Sequence, residues 1–141
     1  MKVMGLDIGT KRVGVAISDP LAIAANAKGV FEYKKEEELI EKIKEHIKQF
    51  EVDAVVLGLP VNMNGTIGEA AKKILQFADN LRKKLTVPVD VFDERLSTVM
   101  AENFLKEADL SRKKRKKVID ISSAQIILQD YLDAQRAKRE D

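Results

Sequence analysis

The opening segment constrains the fold most, because it predicts two β-strands joined by a tight turn. Residues 3–8 are apolar except for Asp7, residues 13–17 are apolar throughout, and residues 9–12 (GTKR) form the turn between them. A carboxylate near the end of an apolar strand is costly to bury unless it is paired, hydrogen-bonded or bound to a cation. Asp7 therefore either caps the turn by accepting backbone N–H bonds or belongs to a site that other parts of the chain complete.

The pattern of the remaining chain predicts an α/β fold. Residues 26–33 form a third strand, and the short links between the first three strands indicate an antiparallel meander. The later elements alternate between helix and strand: a helix over Glu36–Phe50, a buried strand over 53–60, a helix over 68–85, a strand over 87–92, a helix capped by Ser97, and a last helix over 118–137. This order predicts a mixed five-stranded sheet, antiparallel in its first three strands and then parallel, with helices on both faces.

Composition excludes several kinds of site and partner. The 141 residues contain no repeat or linker, which predicts a single domain over 1–141. The absence of cysteine excludes disulfides and thiolate metal sites, and a single histidine, His46, argues against a His-rich zinc or iron site. A bound metal is then expected to be Mg²⁺ or Mn²⁺, held by carboxylates. No apolar run could span a bilayer and no signal peptide is recognisable, so we expect a cytoplasmic protein with no membrane partner.

Three acids stand where core residues would be expected. Asp7 lies near the end of the first strand, Glu94 follows the strand over 87–92, and Asp120 begins an apolar stripe on the last helix. Strands that end at one edge of an open α/β sheet bring their terminal residues together, and a helix across that edge can supply the third acid. Clustered carboxylates repel one another unless a cation neutralises them. A pair of Mg²⁺ ions about 3.5–4 Å apart is the usual carboxylate-bound arrangement for phosphodiester cleavage.

Each acid also has a purely structural interpretation. Glu94 could pair with a surface cation, and Asp93 competes with it, since adjacent residues of a strand face opposite sides of the sheet. Asp120 could be an early-helix acid favoured by the helix dipole.

Several motifs together resemble one known family. They are residues 5–16 (GLDIGTKRVGVA), 58–66 (GLPVNMNGT), 93–98 (DERLST) and 116–120 (KKVID), followed by Ala124 and 127–129 (ILQ). In these segments the chain resembles the YqgF/RuvX family of the ribonuclease H-like superfamily, which comprises Holliday junction resolvases and pre-16S rRNA nucleases. Ser122-Ser123 departs from the paired alanines more usual in the family, but both residue types are small and close helix packing is expected to survive.

The resemblance implies a ribonuclease H-like fold and a nuclease that uses Mg²⁺ or Mn²⁺, with two ions held by Asp7, Glu94 and Asp120. It also implies that polar residues around the cleft contact the substrate: Thr10, Lys11, Asn62, Asn64, Arg95 and Thr98. Among these, Lys11 and Arg95 would meet phosphate oxygens. Ordinary turn chemistry would explain the amides of the loop over 62–66 equally well.

An unbroken basic run precedes the last predicted helix. It consists of Arg112, Lys113, Lys114, Arg115, Lys116 and Lys117. Six adjacent cations usually form a flexible, solvated loop. Beside a phosphodiester-cleaving site they are also suited to clamp a flanking strand or duplex, and each neutralised phosphate would add a salt-dependent increment to binding.

These features lead to a ranked set of functions. The first is a nuclease that acts on structured RNA and trims the 5′ region of pre-16S rRNA. The second is a resolvase of four-way DNA junctions, whose two symmetric cuts require a dimer. We expect a monomer or weak homodimer. An actin-like ATPase or kinase, suggested by residues 7–10 (DIGT), would need two lobes, and the chain is too short for them. The acids argue against a nucleic-acid-binding protein that has lost catalysis, because clustered acids weaken phosphate binding unless a metal is present.

Overall fold

The structure, a computed structural model, describes the backbone of residues 1–93 and 112–140 and the side chains of residues 1–93 and 123–139. The elements in chain order are β1 (Val3–Ile8), β2 (Arg12–Ser18), β3 (Ala25–Glu32), α1 (Glu36–Phe50), β4 (Ala54–Leu59), α2 (Glu69–Lys84), β5 (Val89–Asp93) and α3 (Arg112–Glu140). The helix predicted to begin at Ser97 lies outside the described residues. Among the residues searched, no helix is long and apolar enough to cross a membrane.

The five strands form one mixed sheet in the order β3-β2-β1-β4-β5. β1 pairs antiparallel with β2, and β2 with β3, whereas β1 is parallel to β4 and β4 to β5. This confirms the predicted sheet. Because β1, β4 and β5 are parallel, their last residues, Ile8, Leu59 and Asp93, lie at the same end of the sheet. We call this end the carboxyl edge.

The two faces of the sheet are covered by different helices. Along β1, Met4 and Leu6 belong to the core that includes the buried faces of α1 and α2, and Ile8 packs against it. The alternate residues face α3: Val3 is in the second core cluster with Leu128. Strand alternation therefore places Asp7 on the α3 side and its neighbour Ile8 on the side of α1 and α2.

The lone histidine is part of the packing under α1. His46 Nδ1 lies 2.7 Å from the Lys42 carbonyl oxygen, and its ring stacks on Phe31 at a centroid distance of 5.4 Å. A second aromatic ring, Phe50, lies 6.0 Å from it. His46 is thus half-buried among aromatic rings rather than a surface imidazole.

The last helix begins earlier than the sequence pattern predicts. The prediction started it at residue 118 and allowed residues 112–117 to be a loop, but α3 begins at Arg112. Lysine and arginine are good helix formers, and no glycine or proline interrupts residues 112–140. The basic run is therefore an extension of the helix, which corrects the loop interpretation.

Side chains of α3 attach the helix to the sheet at defined points. The Gln125 side chain donates a 2.9 Å hydrogen bond to the Ala25 carbonyl oxygen, and the Ala25 N–H donates one of 2.9 Å to Gln129 Oε1. At the opposite edge strand, β5, the Tyr131 hydroxyl donates a 3.0 Å bond to Asp90 Oδ2. Burial, followed by this bond, raises the pKa of Tyr131 to about 12. Contacts with both β3 and β5 hold α3 across the sheet.

Candidate active site at the carboxyl edge of the sheet

Asp7 is a half-buried carboxylate one residue before the end of β1. The turn that follows is closed by the Gly9 N–H, which donates a 2.8 Å bond to the Arg12 carbonyl oxygen. Within residues 1–93 and 123–139 no group donates a hydrogen bond to the Asp7 carboxylate or pairs with it. The interpretation of Asp7 as a turn cap is therefore wrong. A half-buried carboxylate with its oxygens unengaged by these residues fits a hard cation as its partner.

Two glycines let α3 approach the strands beside Asp7. A Cβ added to Gly5 would lie 2.7 Å from Leu128 Cβ and 3.2 Å from the Ala124 carbonyl oxygen. A Cβ added to Gly14, the register partner of Asp7, would lie 3.5 Å from Ala124 Cβ. Helix and sheet backbone are thus in direct contact at Ala124, which confirms the close packing expected for this small-residue segment.

The second predicted acid has a defined place on the helix. Asp120 belongs to α3 and precedes Ala124 by four residues, about one helical turn. Residues four apart share a helix face, and Ala124 contacts the sheet beside Asp7. The side chain of Asp120 is outside the described set.

Of the two adjacent acids where β5 ends, the structure describes Asp93. Phe92 meets the Tyr131 ring of α3 edge-on at 6.1 Å, so it lies on the α3 side. Asp93, the next residue, is in register with Leu59, whose side chain belongs to the core under α1 and α2. Asp93 therefore lies on the side of the sheet opposite Asp7. Glu94, the other candidate for the acid that this segment supplies, lies outside the described residues, as do Arg95 and Thr98.

The β1–β2 turn exposes two of the predicted substrate residues at the carboxyl edge. Thr10 and Lys11 are both exposed. The Tyr33 N–H donates a 3.0 Å bond to the Lys11 carbonyl oxygen, and the Tyr33 hydroxyl donates to the Gly9 carbonyl oxygen. Burial and the nearby Glu36 carboxylate raise the pKa of Tyr33 above its ordinary value of 10.0. The sequence analysis missed Tyr33, although an aromatic residue directly after a short strand was a usable signal.

The loop after β4 is organised by its own polar side chains. Asn62 Nδ2 donates a 3.0 Å bond to Thr66 Oγ1, which donates in turn to Asn64 Oδ1 at 2.7 Å. The Thr66 N–H donates to the same Asn64 oxygen at 3.1 Å. The side-chain amides of Asn62 and Asn64 thus both take part in hydrogen bonds that hold the turn. Met63, between them, is 77% exposed.

The described side chains do not assemble a metal site by themselves. Across residues 1–93 and 123–139, no group of three or more His, Cys, Asp or Glu side chains could hold an ion. Asp7 is the only member of the predicted triad whose side chain belongs to this set. The basic residues Arg112 to Arg115 lie in the first turn of α3, ahead of Asp120, and only their backbone is described.

Two solved structures share this architecture. Thermus thermophilus RuvC, solved in complex with a Holliday junction substrate, is 18% identical, covers 96% of each chain, and gives a TM-score of 0.59. The fowlpox virus Holliday junction resolvase is 14% identical, with 95% of this chain and 99% of that chain covered and a TM-score of 0.54. These similarities confirm the predicted ribonuclease H-like fold.

Sequence relatives identify the family. A protein of Clostridium acetobutylicum named "Putative pre-16S rRNA nuclease" is 48% identical over 134 residues, covering 95% of this chain and 99% of the relative. A protein of the same name from Halothermothrix orenii is 53% identical over 135 residues, covering 96% of each chain. The family model described as RuvX, Holliday junction resolvase, matches residues 1–134. The chain therefore belongs to the RuvX family.

Proposed function

We propose that this protein is a metal-dependent nuclease that cleaves phosphodiester bonds in structured nucleic acid and processes the 5′ end of pre-16S rRNA. The observation that carries the proposal is Asp7, a half-buried carboxylate that no group of residues 1–93 or 123–139 engages, at the carboxyl edge and beside α3. The names of the two relatives support the choice of substrate. We propose that the protein acts in the cytoplasm, as a monomer or weak homodimer.

The proposed metal ligands are Asp7, Glu94 and Asp120, which would hold two Mg²⁺ or Mn²⁺ ions. Carboxylate oxygens are the ligands that these hard cations prefer. When bound, such ions lower the pKa of an attacking water and stabilise the leaving oxygen. The position of Asp93 on the opposite side of the sheet supports Glu94 as the acid supplied by this segment, and the contact of Ala124 beside Asp7 supports Asp120.

The proposed substrate contacts surround these acids. Lys11 of the β1–β2 turn, together with Arg95, binds phosphate, and Thr10 and Thr98 supply hydroxyl donors. Thr66 holds Asn62 and Asn64 in one loop conformation, so these side-chain amides need little further ordering to contact the sugar-phosphate backbone of a nucleic acid. Ordered groups lose less conformational entropy on binding than mobile ones.

The basic run is proposed to bind a flanking strand or duplex. Arg112, Lys113, Lys114 and Arg115 occupy successive positions of a helix rather than a loop. Successive helix positions are about 100° apart, so only part of the run can face one partner at once. The expected effect is a salt-dependent increment to affinity from each phosphate neutralised.

A second candidate is the resolution of four-way DNA junctions. The description of the matching family model favours it. This reaction requires two symmetric cuts and therefore a two-fold dimer that presents two active sites. The two candidates use the same acids and differ in substrate and in oligomeric state.

One cleavage assay tests both candidates. The assay incubates three proteins separately with a pre-16S 5′ leader RNA and with a four-way DNA junction. They are wild type, Asp7→Asn and the control Asp79→Asn, which alters an exposed acid of α2 paired with Arg82. Each reaction contains Mg²⁺, Mn²⁺, Ca²⁺ or EDTA. We expect cleavage of the RNA by wild type and Asp79→Asn with Mg²⁺ or Mn²⁺, and none by Asp7→Asn.

Other outcomes of the assay contradict parts of the proposal. Full activity in EDTA would exclude the metal mechanism, and full activity of Asp7→Asn would remove Asp7 from the site. Paired symmetric cuts in the junction, with the RNA left intact, would establish the second candidate instead.

A further inference from the structure

A cavity of about 270 Å³ opens at the carboxyl edge, on the side of the sheet opposite Asp7. It lies between the β1–β2 turn, the first turns of α1 and the N-terminal half of α2. Sites for drug-sized ligands usually measure roughly 300–1,000 Å³. This cavity is slightly smaller, which suits a single ring system rather than an extended ligand.

The floor of the cavity is apolar and preformed. Ile8, Leu39, Ile74 and Phe77 line it, and the last three are buried in the core under α1 and α2. Tyr33 also lines it, and its ring is anchored because its hydroxyl donates to the Gly9 carbonyl oxygen. Apolar and aromatic surfaces of this kind accept the flat face of a nucleobase.

The rim of the cavity carries charges of both signs. Glu36 of α1 and Lys73 of α2 line it together with the hydroxyl of Thr10. A carboxylate accepts hydrogen bonds from an exocyclic amine, and an ammonium donates to a ring nitrogen or carbonyl oxygen. Adenine, guanine and cytosine each present both kinds of group on one edge, whereas uracil carries no exocyclic amine. Glu36 also accepts a 3.5 Å hydrogen bond from Asn80 Nδ2, and a free anion in the cavity would meet the Glu36 carboxylate.

The cavity is one residue from the proposed catalytic acid. Ile8 lines the cavity and directly follows Asp7, and strand alternation sends the two side chains to opposite sides of the same edge. Adjacent residues of a strand are about 3.3 Å apart along its axis. A single strand whose phosphate lies at Asp7 can therefore cross the edge with its next nucleotide.

We infer that this cavity is a subsite for one unpaired nucleobase next to the cleaved bond, and that it prefers a base with an exocyclic amine (adenine, guanine or cytosine) over uracil. The base stacks in the cavity between Tyr33 and the apolar floor, while Glu36 and Lys73 read its edge. This inference rests on the proposed function, because it takes the occupant from a nucleic-acid substrate.

Titration of nucleoside monophosphates without metal tests the subsite directly. GMP, CMP, AMP and UMP are added to the ¹⁵N-labelled protein, and amide chemical shifts are followed; ribose 5-phosphate serves as a probe without a base. We expect saturable shifts at cavity residues, with AMP, GMP and CMP each binding at least about threefold tighter than UMP. Ribose 5-phosphate is expected to leave these residues unshifted.

Three variants locate the binding. Ala70→Phe places a ring at an exposed position that lines the cavity, and is expected to abolish the shifts. Lys73→Gln is expected to weaken GMP binding at least about threefold. Lys72→Gln alters the neighbouring exposed lysine, which does not line the cavity, and is expected to bind as wild type. If Ala70→Phe fails to fold, Lys73→Gln and Lys72→Gln still form a matched pair.

Several results would overturn the inference. They are the absence of saturable shifts with all four nucleotides, equal affinities for all four, equal shifts with ribose 5-phosphate, or equal weakening by Lys72→Gln and Lys73→Gln. The outcome is separable from that of the proposed function. Nuclease activity that depends on Asp7, without nucleotide binding, would overturn only the subsite. Nucleotide binding without such activity would overturn only the nuclease.

Discussion

Gly14 lies opposite Asp7 in the β1–β2 pair, where an added Cβ would be 3.8 Å from Asp7 Cβ and 3.5 Å from Ala124 Cβ. The missing side chain at this position leaves space in which α3 and the carboxyl end of β1 come together. At Gly5, two residues before Asp7, the space is smaller, and an added Cβ would be 2.7 Å from Leu128 Cβ. The two positions therefore differ in how well they accommodate an added methyl group.

The same substitution at these two glycines is expected to have different effects. Gly5→Ala forces β1 and α3 apart and should lower the free energy of unfolding by about 1–3 kcal/mol, the usual cost of overpacking. Gly14→Ala places its methyl at ordinary contact distances and should change the free energy of unfolding by less than about 1 kcal/mol. Chemical denaturation of both variants measures the difference, and equal destabilisation would contradict the close approach at Leu128.

Metal binding at Asp7 can be measured without cleavage. A ligand at 100 times its dissociation constant stabilises the folded state by about 2.7 kcal/mol. We expect Mn²⁺ to raise the Tm of wild type and of the control Asp79→Asn, and to leave that of Asp7→Asn nearly unchanged. Because the proposed site brings three carboxylates together, removal of one relieves repulsion, and Asp7→Asn should be at least as stable as wild type in EDTA. An equal Mn²⁺ shift in all three proteins would place the ion elsewhere.

The basic run should determine part of the salt dependence of nucleic-acid binding. Replacing Arg112, Lys113, Lys114 and Arg115 with Gln removes four charges. Each phosphate that is no longer neutralised reduces the magnitude of the negative slope of log K against log salt by about 0.7–0.9. We expect this magnitude to fall by about 1–3, since one face of the helix meets the strand. Lys83→Gln with Lys84→Gln, at the end of α2 away from the carboxyl edge, is the control. An unchanged slope in the fourfold variant would show that these four residues do not neutralise phosphates of the bound nucleic acid.

The Tyr131–Asp90 hydrogen bond predicts a loss of stability at alkaline pH. Burial, followed by this bond to Asp90, raises the pKa of Tyr131 to about 12, above its ordinary value of 10.0. A raised folded-state pKa contributes stability that is complete below pH 10 and is lost as the pH rises through 12. Tyr131→Phe should therefore cost about 1 kcal/mol at pH 8, the value of one hydrogen bond, and less at pH 11.

Urea denaturation of wild type and Tyr131→Phe at the two pH values measures this change. Tyr33→Phe is the matched control, because it removes the other tyrosine of the chain and leaves α3 attached to Asp90. A difference between wild type and Tyr131→Phe that grows from pH 8 to pH 11 would contradict the assignment.

The strands and the first helix could be predicted because local patterns determine them. α1 begins and ends where its apolar stripe indicates, at Glu36–Phe50, with three acids in its first turn. The start of α3 could not be predicted by the same reasoning, since a run of like charges usually indicates a solvated loop. Lysine and arginine have high helix propensity, and continuing an existing helix avoids a new nucleation step.

The residues of the candidate site were accessible to sequence reasoning to different degrees. Asp7 was evident, because an acid in an apolar strand requires an explanation. Asp93 and Glu94 were not separable from the sequence, since either could face the cleft until the β4–β5 register set Asp93 opposite Leu59. Tyr33 was missed because its hydrogen bonds to the β1–β2 turn join segments more than twenty residues apart in sequence.

The sequence alone determined the order of the elements, the sheet and the family, because hydrophobic periodicity and short motifs depend on neighbouring residues. The tertiary structure decided which groups meet across the sheet. It placed Asp7 beside Ala124 on one side and left a cavity beside Ile8 on the other. Such distances depend on how closely helices pack on both faces. The approach of α3 depends on the absence of a single methyl group at Gly5, and a local sequence pattern does not show this effect.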